Sequence, residues 1–152
     1  MKLKISVTKE GGLELYITRN ESNDRIYVMR ERYLFLKKEL QLYDGHKKYI
    51  AEIITPIFSA KKLTFKEHDR VIDELVLTSK QIKREYQLEQ NKWRIEVDVT
   101  FTEYNIYDEN NELIAETKFN LPDRTWLIDV KKTKNPTLLM LMLLSVVAIS
   151  QS

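Results

Sequence analysis

Cysteine is absent from this 152-residue chain, and histidine, glycine and proline number only two, three and three. Without cysteine the chain has no disulfides and no thiolate chemistry, which fits a reducing compartment. The few glycines and prolines form no flexible linker or low-complexity segment. We therefore expect a single cytoplasmic domain over residues 1–152.

A large charge of one sign is missing as well. Lys and Arg total 25 and Asp and Glu total 23, so the formal net charge is only +2. Nucleic-acid-binding proteins usually carry a clear basic excess, and no nucleic-acid partner is expected. The sequence also lacks a P-loop, a dinucleotide-binding fingerprint, a nucleophile elbow and zinc-ligand spacing. We expect no enzyme activity, no cofactor and no metal.

One long hydrophobic run stands near the end of the chain. Eleven of the twelve residues at 138–149 are apolar, and Ser145 is the exception. Asn135 and Pro136 predict the N-cap and the first residue of a helix. This helix would have no polar face, so it must be enclosed by protein or by lipid.

The length of this helix favours protein over lipid. Fifteen residues span about 22 Å, which is shorter than the roughly 30 Å core of a bilayer. We expect the rest of the chain to close around the helix, with the Ser145 hydroxyl bonded to a carbonyl of the preceding turn. The alternative is a membrane anchor with Lys131, Lys132 and Lys134 at the interface.

Before this helix, apolar residues recur at every second position, as in strands with one buried face. The clearest runs are Leu3-Ile5-Val7, Leu13-Leu15-Ile17, Trp93-Ile95-Val97-Val99 and Trp126-Ile128-Val130. Turn-forming residues separate the runs at Gly11-Gly12, Asn20 to Asp24, Asp44-Gly45, Gln90-Asn91, Asp108 to Asn111 and Pro122-Asp123. The pattern predicts about twelve short strands in an all-β barrel or sandwich.

Two segments are ambiguous between helix and strand. Residues 26–42 have helix-forming composition, but their aromatic residues favour strands, which we predict. Residues 65–85 are similar. The predicted core comprises the terminal helix and Ile5, Val7, Leu15, Ile17, Ile50, Ile95, Val97, Ile114, Trp126 and Ile128.

A short motif occurs twice, 64 residues apart. Leu42-Tyr43-Asp44 is followed after five residues by Ile50-Ala51-Glu52, and Ile106-Tyr107-Asp108 by Ile114-Ala115-Glu116 at the same spacing. Each copy predicts a hairpin in which Asp opens the turn. Duplicated hairpins suggest pseudo-symmetric halves of one sheet around a shared core, although strand–turn–strand units can also look alike by chance.

These hairpins, the strand Trp126-Leu-Ile-Asp-Val and the terminal helix together resemble the tubby C-terminal-like superfamily. Within it, the pattern is most similar to small bacterial members of the LURP-one-related and phospholipid-scramblase-like branch, over about residues 30–150. The resemblance implies an all-β fold with one helix: a closed, roughly twelve-stranded antiparallel β-barrel enclosing a hydrophobic C-terminal helix.

The expected role is that of a non-enzymatic, soluble binding or scaffold domain. Its barrel surface would contact an anionic membrane lipid or a protein partner, peripherally at the membrane in the former case. The alternative is a scramblase-like lipid-handling protein tethered by its C-terminal segment. The candidate lipid- or anion-binding residues are Lys61, Lys62, Lys66, Lys131, Lys132 and Lys134, with Lys37-Lys38 as a further basic pair. They matter only if they converge, and ordinary solvent-exposed lysines are the alternative interpretation.

Histidine offers one other candidate. His68 lies between Glu67 and Asp69, a grouping that can hold a metal or act as an acid or base. Adjacent carboxylates on one loop enclose a metal poorly, and we expect a solvated turn there. His46, in the first hairpin turn, is expected to be exposed.

Overall fold

The structure, a computed structural model, describes residues 1–56, 61–79 and 83–151. These residues form twelve strands and one helix. They are β1 (Lys2–Thr8), β2 (Glu14–Arg19), β3 (Arg25–Leu34), β4 (Lys37–Asp44), β5 (Tyr49–Pro56), β6 (Lys62–Glu67), β7 (Arg70–Ser79), β8 (Arg84–Leu88), β9 (Arg94–Val97), β10 (Glu103–Tyr107), β11 (Leu113–Asn120), β12 (Thr125–Val130) and α1 (Pro136–Ser150).

The strands form a closed antiparallel barrel in which each strand pairs with its neighbours in sequence. Closure is made by β1 and β12, where Leu3 lies opposite Ile128 and Ile5 opposite Trp126. Alternating side chains from every strand face inward, as the two-residue period predicts. The predicted barrel is therefore confirmed.

The barrel has two distinct ends. The bottom is defined here by the turns that follow the even-numbered strands, namely β2–β3, β4–β5, β6–β7, β8–β9 and β10–β11. It also includes residues 131–135, which lead from β12 into α1. The top is defined by the turns after odd-numbered strands and by the end of α1. The helix thus enters at the bottom and runs up the interior.

The helix fills the barrel as predicted. Every residue from Leu138 to Ala148 is buried. Asn135 is the N-cap, its side chain accepting a hydrogen bond from the Leu138 amide, and Pro136 is the first helical residue. The Ser145 hydroxyl donates to the Leu141 carbonyl at 2.6 Å, which satisfies it inside the helix.

Enclosure by the barrel removes the basis for the membrane-anchor alternative, because the apolar side chains already contact protein. Tyr104 of β10 also ties the helix to the wall by donating its hydroxyl to the Leu143 carbonyl at 2.8 Å. Within the part of the chain that the structure describes, no helix has the length and apolar character needed to cross a membrane.

Three details of the sequence prediction need correction. Val99 does not continue β9; it lies in the β9–β10 turn and is exposed, because the Asp98 carboxylate accepts the Thr102 and Glu103 amides and ends the strand. Val7 and Ile50 are only half-buried against the core. The other predicted core residues of the strands are buried, as is the helix from Leu138 to Ala148.

The two ambiguous segments are strands wherever the structure describes them. Residues 26–42 form most of a hairpin, with β3 and β4 joined by the two-residue turn Phe35-Leu36. Residues 65–85 contribute to β6, β7 and β8, while residues 80–82 lie outside the described residues.

Candidate functional site: a cleft beside the helix start

The two copies of the repeated motif fold into the same turn. In the first copy, one carboxylate oxygen of Asp44 accepts the amides of His46 and Lys48 at 2.8 and 3.0 Å. The Asp44 amide in turn donates to the Lys48 carbonyl, and Lys47 has a positive φ of 65°. The aspartate carboxylate therefore accepts the turn amides that have no carbonyl partner on a neighbouring strand.

The second copy repeats this geometry. One oxygen of Asp108 accepts the amides of Asn110 and Glu112 at 2.9 and 3.0 Å, and Asn111 has a φ of 65°. The same backbone hydrogen bonds lower the pKa of both aspartates, most strongly through Lys48 for Asp44 and Glu112 for Asp108. The predicted hairpins are confirmed.

A β-bulge accompanies each turn. Leu42 pairs with Ala51 but Tyr43 pairs with Tyr49, so Ile50 has no partner on β4. In the second copy, Ile106 pairs with Ala115 and Tyr107 with Leu113, which leaves Ile114 unpaired on β10 in the same way. Since β4 and β10 are six strands apart in a ring of twelve, the two hairpins lie on opposite sides of the barrel.

Residues 131–135, which lead into the helix, cover the second copy. The Ile114 carbonyl accepts the amides of Lys131 and Lys132, at 2.7 and 3.3 Å. The Glu109 carboxylate binds the buried Trp93 indole at 2.8 Å through one oxygen and Lys134 at 2.5 Å through the other. Side chains and backbone therefore close this side of the bottom.

The first copy has different residues at the equivalent positions. Tyr27 of β3 lies opposite Asp44, and the β9–β10 register continues to Trp93 opposite Asp108, so Tyr27 corresponds to Trp93. Gly45 and Glu109 correspond because each follows the aspartate of its motif copy. No side chain at Gly45 can bridge to a neighbour, and a Cβ atom there would lie 2.6 Å from the Arg25 carbonyl oxygen. The covering segment is hydrogen-bonded to the second copy and reaches this half only at its edge, where Thr133 lines the opening, so this half of the bottom stays open.

The opening is a cleft with a volume of about 970 Å³. Its apolar floor combines strand and helix side chains, among them Leu3, Ile26, Ile50, Leu139 and Met140. This size lies within the range of small-molecule sites, which are largely apolar with a few polar groups. Ile50 is half-buried because it lines the open cleft, whereas Ile114 at the equivalent bulge of the closed copy is fully buried.

Charged side chains surround the floor. Arg19, Arg25 and His46 lie on the rim together with Asp24 and Asp44. The Arg25 guanidinium stacks over the Tyr16 ring at 3.8 Å. In the described ranges, neither arginine guanidinium has a carboxylate within ion-pair distance. The Asp44 carboxylate is engaged by its turn amides, so Arg19, Arg25 and Asp24 are the rim charges without an ion pair among the described residues.

The predicted basic residues do not form one patch. Lys61 and Lys62 lie near the top, where Lys62 pairs with Glu74, whereas Lys66 lies toward the bottom end of β6. Their role in lipid or anion binding stays a prediction.

The lysines before the helix lie together but face carboxylates. Lys131 contacts Asp129 at 2.6 Å, Lys132 contacts Glu112 at 2.5 Å, and Lys134 contacts Glu109. Hydrogen bonds to these carboxylates raise the pKa of all three lysines, and Lys131 and Lys2 lower the pKa of Asp129 to about 2. These lysines thus fasten the segment that leads into the helix.

Both histidines lie in bottom turns. His68 is exposed, with a φ of 53°, and its ring lies 4.8 Å from the Tyr49 ring. The Tyr49 hydroxyl accepts the His68 amide at 3.1 Å. Among the described residues, no group of three or more histidine or acidic side chains could hold a metal ion. His46 is exposed on the rim of the cleft.

Comparison with known proteins gives one structural likeness. No family model matches the chain, and no curated protein matches it either. The X-ray structure of a protein from Arabidopsis thaliana, AT5G01750, superposes with a TM-score of 0.66 over 97% of this chain and 91% of that one, at 11% sequence identity. At this identity the likeness shows a shared fold and nothing further.

Proposed function

We propose that this chain is a non-enzymatic binding domain of the LURP-one-related and scramblase-like branch, and that it takes an anionic amphiphile in the cleft beside the helix start. The observation that carries the proposal is the contrast between the two motif copies. One is closed by Trp93, Glu109 and Lys134, and the other is left open over an apolar floor. A cytoplasmic location in a bacterial cell belongs to the same proposal.

The chemistry of the cleft favours a molecule with an apolar body and an anionic head. An acyl or aryl chain would cover Ile26 and Ile50, which the helix and the barrel leave half-buried. The head group would meet Arg19 and Arg25, which have no carboxylate partner in the part of the chain that the structure describes.

A binding role is also supported by how the acidic side chains are used. Asp44, Asp98 and Asp108 have lowered pKa values because turn amides or hydroxyls donate to them. Lowered values keep these groups ionised as hydrogen-bond acceptors, whereas an acid–base catalyst works best with a pKa near the working pH.

Titration calorimetry with dodecanoate tests the proposal, with dodecyltrimethylammonium as the cationic counterpart of the same chain length. We expect dodecanoate to bind and the cation to bind at least fivefold more weakly. Arg19→Gln should weaken dodecanoate binding by a similar factor. Arg30→Gln is the matched control, since Arg30 lies on the barrel wall, 3.7 Å from Glu14.

Absence of dodecanoate binding would refute the proposal. Equal affinities of the Arg19→Gln and Arg30→Gln variants would place the ligand elsewhere.

A further inference from the structure

Exposed apolar side chains are concentrated at the top of the barrel. Among the described residues, eight large hydrophobic side chains are exposed, and five of them lie at this end: Tyr33, Phe35, Leu36, Val99 and Leu121. Phe35 is 91% exposed, Leu121 72% and Val99 67%. Such a concentration on one face marks an interaction surface more often than scattered single residues do.

The β3–β4 hairpin carries the most exposed of these residues and projects beyond its neighbour. Strand β2 pairs with β3 only as far as Glu14 opposite Arg30, so the end of β3 continues past β2. Phe35 and Leu36 form the turn between Leu34 and Lys37. The apolar pair is therefore at the tip of a protruding element.

Leu36 occupies a backbone conformation that does not suit leucine. Its φ is 61°, in the left-handed region that glycine and asparagine adopt at lower cost, and its side chain is exposed. Packing of the fold does not explain the residue. The same positive φ occurs in other hairpin turns, for example at Lys47 and Asn111, so the turn geometry belongs to the fold, and what packing leaves unexplained is an exposed leucine at this position.

The other apolar residues of the top stand on well-defined turns. The Asp98 carboxylate binds the amides of Thr102 and Glu103 and the hydroxyl of Thr100, which fixes the turn that exposes Val99. Leu121 begins the β11–β12 turn, where its carbonyl accepts the Arg124 amide. Both side chains are thus held outward before any partner binds.

The exposed charge around the hairpin tip is positive. Arg32 is 58% exposed and pairs with Glu39, which is 8% exposed, whereas Lys38 and its partner Glu31 are both largely buried, at 14% and 10%. Lys37 follows the tip and is exposed. Beside it, β4 pairs with β5, and the exposed Lys61 and Lys62 follow the β5–β6 connection on the same side.

We propose that the top of the barrel docks on an anionic membrane surface, with Phe35 and Leu36 inserted below the headgroups and Lys37, Lys61 and Lys62 among them. The β3–β4 and β9–β10 turns lie on opposite sides of the ring, so the exposed apolar side chains of these turns form separate tips rather than one continuous patch. A bilayer accepts separate apolar tips flanked by cations. This proposal is independent of the cleft, which lies at the opposite end.

Vesicle co-sedimentation tests the proposal. The probes are phosphatidylcholine vesicles and vesicles with 30% phosphatidylserine. We expect binding to the anionic vesicles to fall at least tenfold in the Phe35→Ser/Leu36→Asn double variant, because it loses both inserted side chains. Asn suits the left-handed turn, so this variant should keep or raise the melting temperature. Val71→Ser, an exposed apolar residue near the bottom, is the matched control and should bind like the wild type.

A second measurement reports insertion directly. In a Phe35→Trp variant, indole emission should shift to the blue on anionic vesicles and be quenched by brominated acyl chains. Three results would overturn the proposal: no binding of the wild type to anionic vesicles, equal binding to neutral vesicles, or unchanged binding of the double variant. A protein partner at this end would give the first result.

Discussion

At the scale of single residues, Tyr104 makes a buried polar link between barrel and helix. Its side chain is fully buried and its hydroxyl donates to the Leu143 carbonyl. Burial raises the pKa of this hydroxyl, so it stays protonated and able to donate across the ordinary pH range.

We predict that Tyr104→Phe lowers the free energy of unfolding by about 1 kcal/mol, the usual net contribution of such a bond. The ring keeps its packing, and the Leu143 carbonyl keeps its partner within the helix. Urea denaturation measures the change. Tyr33→Phe, at an exposed tyrosine, should leave the unfolding midpoint unchanged; an equal loss in both variants would contradict the prediction.

At the scale of elements, the helix contributes mainly through its apolar side chains. Leu141 is fully buried within the barrel, and Leu141→Ala should cost about 2–5 kcal/mol through lost burial and a cavity. Ser145→Ala should cost less than about 1 kcal/mol, since it removes a hydroxyl bonded only within its own helix. Thermal or urea unfolding of the two variants, side by side, tests this ranking.

The β10–β11 turn should make stability depend on acid. The folded-state pKa of Asp108 is lowered by the Glu112 amide and by Lys134, so its stabilisation is complete above the unfolded pKa of about 4 and is lost as the pH falls through the folded value. Asp44 and Asp129 act in the same direction.

We therefore predict that the melting temperature of the wild type falls below about pH 4. Asp108→Asn should be less stable at pH 7 and should show a smaller fall on acidification. Melting temperatures between pH 2.5 and 7 measure both effects. Asp123→Asn, in an exposed turn, serves as control and should retain the wild-type slope; an identical slope for all three proteins would count against the assignment.

Much of this architecture could be predicted from local pattern. Alternation defined the strands because one face of each is buried, and the apolar run at 138–149 defined the helix because it has no polar face. Val99 was placed wrongly because the alternation continues through it, while the hydrogen bonds of Asp98 that end the strand are visible only in three dimensions. The Phe35-Leu36 turn lacks the usual turn residues and gave no signal.

The cleft could not be predicted, because it depends on which side of the bottom residues 131–135 cover. The motif copies were visible, but the difference between Gly45 and Glu109 acquires meaning only once Trp93 and Lys134 are seen to meet at the latter. Likewise, spacing along the chain could not show that Lys132 and Lys134 face carboxylates of the β10–β11 turn, or that Lys131 faces Glu116 on β11.

At the scale of the whole molecule, barrel and helix depend on each other. The inward faces of the strands have the helix as their shared packing partner, and the helix has no polar face of its own. We predict that truncation after Asn135 yields a chain without a cooperative unfolding transition. Circular dichroism during heating measures this; a truncated protein that melts cooperatively would show that the barrel closes without its filling.

The order of the elements has a consequence for biosynthesis. Ring closure needs the pairing of β1 with β12, and the residues that fill the interior come after both. The first strands therefore leave the ribosome before β12 and the helix, which complete their pairing and packing, have emerged. During that interval the nascent chain exposes apolar side chains and unpaired strand edges. Chaperones that shield them should determine how much of the product reaches its native state.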